Sequence, residues 1–330
     1  MNSDHPKINY GKKGILIINL GTPDSTSWLD IRKYLKEFLS DRRVIEVNPL
    51  IWQVILNLFI LTFRPAKTAK AYKEIWMEDK NMSPLRYFTE RQAEKLSNLM
   101  GNENLIVDFA MRYGNPSIKS KIHSLQKKGC ENLIVLPLYP QYAAATTATV
   151  CDEVYRTLMK MRWQPNLKII PHYESEPLYI EAIKNSIVKK VSEINWQPDL
   201  IIASYHGIPK KYFDKGDPYH CYCHKTTRLI SEKYSDIKIK TTFQSRFGPQ
   251  EWLQPYTDKT LETLPKEGKK NILVICPGFS SDCVETLEEI SIQGKESFLN
   301  SGGKNFEMVP CLNDNEDHID LFKHLITKNI

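Results

Sequence analysis

Asp199-Leu200-Ile201-Ile202-Ala203-Ser204-Tyr205-His206-Gly207-Ile208-Pro209 is the stretch whose reading decides the fold. Leu200 to Ala203 is apolar at every position, too short for a helix, and gives way at once to Ser-Tyr-His-Gly. An unbroken apolar run of this length reads as a strand of a parallel sheet covered on both faces. Its last polar side chains then reach the carboxyl edge of the sheet, where open α/β sheets bind ligands. His206 is expected to face that crevice, with Gly207 allowing the chain to turn tightly behind it. A histidine at a strand end can equally be satisfied by a nearby backbone carbonyl. The neighbouring strand ends decide between the two.

Similar runs recur on both sides. Gly14–Leu20, Leu105–Phe109, Asn132–Pro137, Leu167–Ile170, Ile237–Thr242, Asn271–Cys276 and Phe306–Val309 read as further strands. Between them lie helix candidates at Ser25–Ser40, Pro84–Met100, Ser117–Gln126, Thr146–Met161, Pro177–Ile194, Lys225–Tyr234, Asp258–Leu264, Cys283–Asn300 and Asp317–Ile326. Strand and helix alternating at this rhythm predict an α/β protein of two Rossmann-like, doubly wound domains with parallel sheets and a cleft between them. A chain of 330 residues exceeds the usual single core and suits two domains. The boundaries expected are 1–165, 166–310 carrying His206, and a terminal helix in 311–330 packing back on the first domain.

Composition narrows the function. Hydrophobic residues make up 41% and charged residues 25%, which leaves enough apolar side chain for two cores. A net charge of +6 suits an anionic ligand or membrane surface but is no nucleic-acid signature, and no RNA- or DNA-binding motif is present. No Gly-x-Gly-x-x-Gly or P-loop follows a strand, so the usual nucleotide cradle is missing. Met1–Lys13 is polar and lacks the apolar core of a signal peptide, and seven cysteines without framework spacing suit a reducing compartment.

Three further stretches carry chemistry. Pro277–Glu289 follows a strand, and Asp282, Glu285 and Glu289 recur at i, i+3 and i+7, on one face of a helix. Acidic residues at a helix start complement its dipole, which accounts for Asp282 but less well for Glu289, nearly two turns in. A row of carboxylates facing a cleft can relay protons or pass a cation. Tyr139, Tyr142, Arg112, Tyr113 and Trp252 sit at other strand ends, a mixture that suits a large planar ligand. His220-Cys221-Tyr222-Cys223-His224 invites a metal, but adjacent ligands on so short a segment seldom converge on one ion.

Together these motifs resemble ferrochelatase over nearly the whole chain, from Gly14 to the last helix. The resemblance rests on Ser204–Pro209 with Gly216-Asp-Pro-Tyr219, Gln244–Pro249 with Trp252, and Phe279–Asp282 with Glu285-Thr-Leu287. Leu20-Gly-Thr-Pro23, Arg112-Tyr113 and Tyr139-Pro-Gln-Tyr142 add to it. It implies insertion of Fe²⁺ into protoporphyrin IX with release of two protons, the last step of haem biosynthesis. His206 would accept a pyrrole proton and, with Glu285, meet the metal; Asp282 and Glu289 would extend the path. Leu20, Arg112, Tyr113, Tyr139 and Trp252 would contact the macrocycle. Coproporphyrin, or cobalt and another tetrapyrrole, are alternative substrates. A two-domain protein that closes over a ligand without chemistry is the alternative of another class. No cofactor is expected beyond the iron substrate. A [2Fe–2S] cluster is not expected either, since Ala144 stands where one family ligand would be and the chain ends soon after Cys311. Cys283 stands where many members carry histidine.

Pro49–Phe63 is apolar on nearly all sides, and its fifteen residues are too few to span a bilayer. Trp52, Ile55, Leu56, Phe59, Ile60 and Phe63 fall at helical spacing, and Arg64, Lys67, Lys70 and Lys73 follow. An apolar segment beside cations suits a protein resting on an anionic membrane. By resemblance this segment is the lip over the porphyrin cleft, with Leu56, Phe59 and Ile60 facing the membrane and Arg64 or Lys67 pairing with a propionate. The expected location is the cytoplasm, at the inner face of the cell membrane. The expected partners are porphyrin, ferrous iron and an upstream porphyrin-producing enzyme.

Overall fold

A computed structural model describes residues 11–330. Most of the polar N-terminal stretch, residues 1–10, lies outside the described residues. Two four-stranded, all-parallel sheets form the frame. The first contains β1 (Lys12–Thr22), β2 (Leu105–Gly114), β3 (Cys130–Pro137) and β4 (Asn166–Ile169), in the order β2-β1-β3-β4. The second contains β5 (Leu200–His206), β6 (Ile239–Gln244), β7 (Asn271–Ile275) and β8 (Asn305–Met308), in the order β6-β5-β7-β8. The two orders are the same. In each, the chain leaves the first strand to one side and returns to the other, so the switch point lies between β1 and β3 and between β5 and β7. Ligand crevices form at such points. His206 ends β5, and Pro277–Glu289 follows β7.

The boundary expected at residue 165 falls just before β4, which pairs with β3 in the first sheet, so the first lobe runs past Ile169. β4 was assigned to the wrong side because a strand of four residues carries too little pattern to declare its sheet.

Alternate side chains along each strand fill different cores. Ile15, Ile17, Ile134 and Leu136 of the first sheet share one apolar cluster with Ile201, Ala203, Leu273 and Ile275 of the second. The helices Pro177–Glu193 and Glu316–Thr327 add Ile183, Ile187, Phe322 and Ile326 to that cluster. Leu16, Ile18, Leu133 and Val135 face a second cluster, and Ile202, Ile272 and Val274 a third. Both faces of both sheets are therefore covered, which is why the strands read as continuous apolar runs. The terminal helix packs on the helix Pro84–Met100 of the first lobe, as expected, and also on Pro177–Glu193.

Polar contacts tie the two lobes together. Tyr212 donates to the Val44 carbonyl at 3.1 Å and accepts from the Glu46 amide at 3.1 Å. The Ala144 amide donates to Asp217 at 2.8 Å, and Gln92 donates to the Asn313 carbonyl at 2.7 Å.

The apolar lip and the basic segment after it form one helix, Pro49–Ile75, of 27 residues. By length and composition alone the whole helix is enough to cross a membrane, though the apolar stretch within it remains the fifteen residues Pro49–Phe63. Its second half buries Leu61, Pro65, Ala69, Tyr72 and Ile75 in a core shared with Ile31, Tyr34 and Leu35. A π turn at Leu56–Ile60 sends the Leu61 N–H to the Leu56 carbonyl. The wider turn shifts every later side chain around the axis. Leu56, which opens that turn, is buried at 0% exposure and Ile60 is half-buried, while Phe59 is 58% exposed. Leu56 is not part of an outward lip. The outward face consists of Leu50, Ile51, Val54, Leu58, Phe59 and Phe63.

Two more helices were legible in place but not in form. The expected helix Cys283–Asn300 is α-helical at Val284–Thr286, π-helical at Leu287–Gly294 and α-helical again at Lys295–Asn300. Thr146–Met161 likewise begins in a π turn, Ala144–Ala148. The helix expected from Lys225 starts at Tyr219 and takes in the whole His220–His224 motif.

Candidate active site

His206 is half-buried at the end of β5, and its Nδ1 lies 2.7 Å from the Gly207 carbonyl oxygen. A carbonyl only accepts, so Nδ1 carries the proton and Nε2 keeps its lone pair. Among the described residues Nε2 has no hydrogen-bond partner. The backbone bond expected of a merely satisfied histidine thus also fixes the tautomer of the ring. Gly207 is required at its position: a Cβ there would sit 2.8 Å from the Gln244 carbonyl oxygen and 3.2 Å from the Trp252 ring. Trp252 is held over this turn by its indole N–H, which donates to the Phe247 carbonyl at 2.9 Å.

Glu289 interacts electrostatically with both His206 and Glu285. Glu289 accepts from the Ser245 amide at 2.8 Å, from the Ser245 hydroxyl, and from Gln244 Nε2 at 3.3 Å. Burial raises the Glu289 carboxyl above the ordinary carboxylate range, and Glu285 pushes the same way, while Ser245 and His206 oppose. Gln244 also donates to the Glu285 backbone carbonyl at 2.7 Å. Its own carbonyl oxygen accepts from Ser204 at 2.6 Å, and Ser204 continues to Thr257 at 2.9 Å and Thr257 to Thr242 at 2.8 Å. This buried chain of polar side chains holds the start of the π-containing helix against β5 and β6. Gln244 and Ser204 were quoted within motifs but given no role, since a lone Gln or Ser in a sequence carries no sign of a buried network.

Asp282 does not join the other two carboxylates. It is 5% exposed and accepts from Asn313 at 2.7 Å and from Thr286 at 3.0 Å, tying the helix start to the segment before the last helix. The i, i+3, i+7 expectation fails because the helix begins only at Val284 and widens at Leu287. Cys283 is buried beside Leu85 and Met111, and burial pushes its thiol far up.

On the opposing wall, buried phenols approach Glu285. Tyr34, Tyr72 and Tyr139 are held well above their usual range by burial, with the Glu285 charge adding to each. The Tyr139 hydroxyl has no hydrogen-bond partner among the described residues. Leu20 is half-buried and packs against three clusters, with Tyr113, Tyr139 and Met111 among their members. Arg112 and Tyr113, expected to touch the macrocycle, are instead buried and both bonded to Asp41. The Arg112 guanidinium stacks 4.3 Å over the Tyr113 ring and its Nε donates to the Thr149 carbonyl at 2.8 Å. Arg112 and Tyr113 are thus engaged mainly with Asp41, with Thr149 and with each other. Beyond Asp41 lies a recess of about 500 Å³ lined by ion-paired side chains such as Arg43 and Asp152, unlike a pocket for an apolar ring.

Arg64 reaches from the lip helix to the second lobe, its guanidinium 4.6 Å from the centre of the Phe247 ring. Burial lowers its pKa, against the pull of Glu285. Lys67, one turn on, is exposed. Among the described residues no group of three or more His, Cys, Asp and Glu side chains is arranged to hold a metal ion.

Comparison with known proteins follows the geometry. The family model described as Ferrochelatase matches residues 12–330. The chain is 54% identical to a ferrochelatase of Allorhizobium ampelinum, covering 99% of this chain and 96% of that one. It is 53% identical to a ferrochelatase of Rhizobium meliloti, over 100% and 98%, and 51% identical to one of Francisella tularensis subsp. novicida, over 97% of each. Among solved structures, the sirohydrochlorin chelatase SirB from Bacillus subtilis subspecies spizizenii in complex with cobalt superposes with a TM-score of 0.58 at 9% identity, over 96% of this chain and 94% of that one. SirB from Bacillus subtilis with Fe³⁺ gives 0.56 at 11%, over 96% and 95%. At such identity the likeness speaks for the two-lobed fold alone.

Proposed function

The chain belongs to the ferrochelatase family, and from that premise we propose how His206, Glu285 and Glu289 serve its reaction. The enzyme inserts Fe²⁺ into protoporphyrin IX to give protohaem, releasing two protons. Porphyrin and ferrous iron are its substrates.

Pyrrole nitrogens are poor ligands until deprotonated, so the site needs a base at a fixed position and a way to carry protons off. An imidazole with one nitrogen held and the other free is such a base. The observation that carries the proposal is the His206 Nδ1–Gly207 carbonyl contact, which leaves Nε2 to take the pyrrole proton. Glu289, its carboxyl raised by burial, takes the proton on, and Glu285 meets the metal or relays the proton between them. Ser245 and Gln244 position Glu289 as donors to its carboxylate. Leu20, Tyr139 and Trp252 grip the ring, and Arg64, with Lys67 one turn on, meets a propionate. Asp282, Arg112 and Tyr113 are supporting residues in this scheme. It assigns no resident cofactor and no [2Fe–2S] cluster.

The proposed location is the cytoplasm, with the outward apolar face of the lip helix resting on the inner face of the membrane. Leu58, Phe59 and Phe63 would enter the lipid boundary, and Lys67 and Lys70 would meet anionic headgroups. An apolar substrate could then pass from an upstream porphyrin-producing enzyme to the cleft without crossing water.

Purified protein given Fe²⁺ or Co²⁺ with protoporphyrin or coproporphyrin tests the reading. Iron insertion into protoporphyrin at the highest kcat/KM supports it. Insertion of cobalt alone, or binding without insertion, overturns it.

A further inference from the structure

The His220–His224 motif, set aside as a linear set of five ligands, takes on another form once folded. All five residues lie in the α-helix Tyr219–Lys233, where residues four apart stack on one face. His220 and His224 therefore share a face, and their ring centres are 4.5 Å apart. Cys223 points into the core and is fully buried, while Cys221 faces solvent. The two rings lie against Phe243, at 5.7 and 6.1 Å, and His220 against Phe213 at 5.1 Å. An aromatic backing of this kind limits how far the imidazoles can swing.

We propose that His220 and His224 form a second site for a divalent transition-metal ion, outside the cleft. Two imidazoles on one ion at about 2.0–2.1 Å place their ring centres roughly 4.5–5 Å apart, depending on the angle at the metal. The observed separation needs little adjustment to meet that. His224 is exposed and His220 half-buried, so the ion has open positions for water. The ligand class is an imidazole-preferring first-row dication such as Cu²⁺, Ni²⁺ or Zn²⁺, and not Mg²⁺ or Ca²⁺. The site is distinct from the catalytic one. Phe243 and Gln244 are successive residues of β6 and point to opposite faces of the sheet, and Gln244 is on the side of Glu289.

Equilibrium dialysis of the whole enzyme against Ni²⁺ at pH 7.5 tests this, with His220→Ala, His224→Ala and the double variant beside the parent. The parent is expected to bind one more ion than the double variant, and each single substitution to weaken that ion at least tenfold. Iron insertion should be unchanged in all three variants, and their circular dichroism should match the parent. Equal stoichiometry and affinity in parent and double variant would overturn the site. So would a loss of only twofold in each single variant, which is what two independent surface histidines would give.

Discussion

The Ser245 amide donates to the Glu289 carboxylate at 2.8 Å from a backbone held at φ 63°, a left-handed conformation uncommon for a serine. The chain accepts that conformation immediately after β6, and the turn aims both the amide and the hydroxyl of one residue at one carboxylate. Strain of this kind belongs at sites where geometry matters more than stability.

Glu289 should therefore cost stability and repay it in rate. Its carboxyl is raised by burial, so the folded protein holds the Glu289 proton more tightly than the unfolded chain does. The associated stability is full below the ordinary carboxylate range and is lost as pH rises through the raised value. Glu289→Gln stays neutral throughout. It should raise Tm relative to the parent at pH 8, with the difference closing toward pH 4, while slowing insertion at least roughly tenfold. Calorimetry across pH checks the first half. A variant less stable than the parent at pH 8 would mean that the Ser245 bonds outweigh the burial cost.

His206→Ala should lower insertion by about 10²–10⁴-fold while leaving the fold and porphyrin binding intact, because the ring bonds only its neighbour's carbonyl. Single-turnover insertion and porphyrin fluorescence titration separate the two effects. Normal turnover would remove His206 from the mechanism.

Asp41 neutralises a buried guanidinium, and Asp41→Ala leaves Arg112 without a counter-charge. The expected loss is about 3–5 kcal/mol of stability by denaturant titration. Asp41→Asn keeps an acceptor and should lose less.

On the lip helix, Leu56→Ala should destabilise the protein by about 2–5 kcal/mol, since Leu56 is buried. Leu58→Ser with Phe59→Ser should leave stability almost unchanged and reduce sedimentation with anionic liposomes. Undiminished liposome binding would refute the membrane contact.

Arg64→Ala should raise the porphyrin KM roughly tenfold, the loss typical of one charge-assisted bond. An unchanged KM in both Arg64→Ala and Lys67→Ala would leave the propionate to another residue.

The fold was legible because each strand carries its own signal. Burial on both faces makes Leu200–Ala203 apolar throughout, and the same is true of Ile15–Ile18 and Ile272–Ile275. A motif could be placed where it sits at a strand end, as with His206 at the end of β5. It was misread where a helix leaves the α period. Counting turns of 3.6 residues puts Asp282 on one face with Glu289, and the late helix start at Val284 and the π turn at Leu287–Gly294 break that count. Arg112 and Tyr113 were misplaced for another reason. Their partner Asp41 is 71 and 72 residues away, and no local pattern announces a contact at that distance.

The ties of Tyr212 to Val44 and Glu46 and of Asp217 to Ala144 stitch the two lobes together. A flat macrocycle must slide in edgewise, and those backbone-anchored bonds resist parting there. The Arg64–Phe247 contact is by contrast a single cation–π pair, between the half-buried Arg64 of the lip helix and Phe247 of the second lobe. In the proposed scheme the same guanidinium latches the lip helix to the second lobe when the cleft is empty and leaves Phe247 for a propionate when the ring enters.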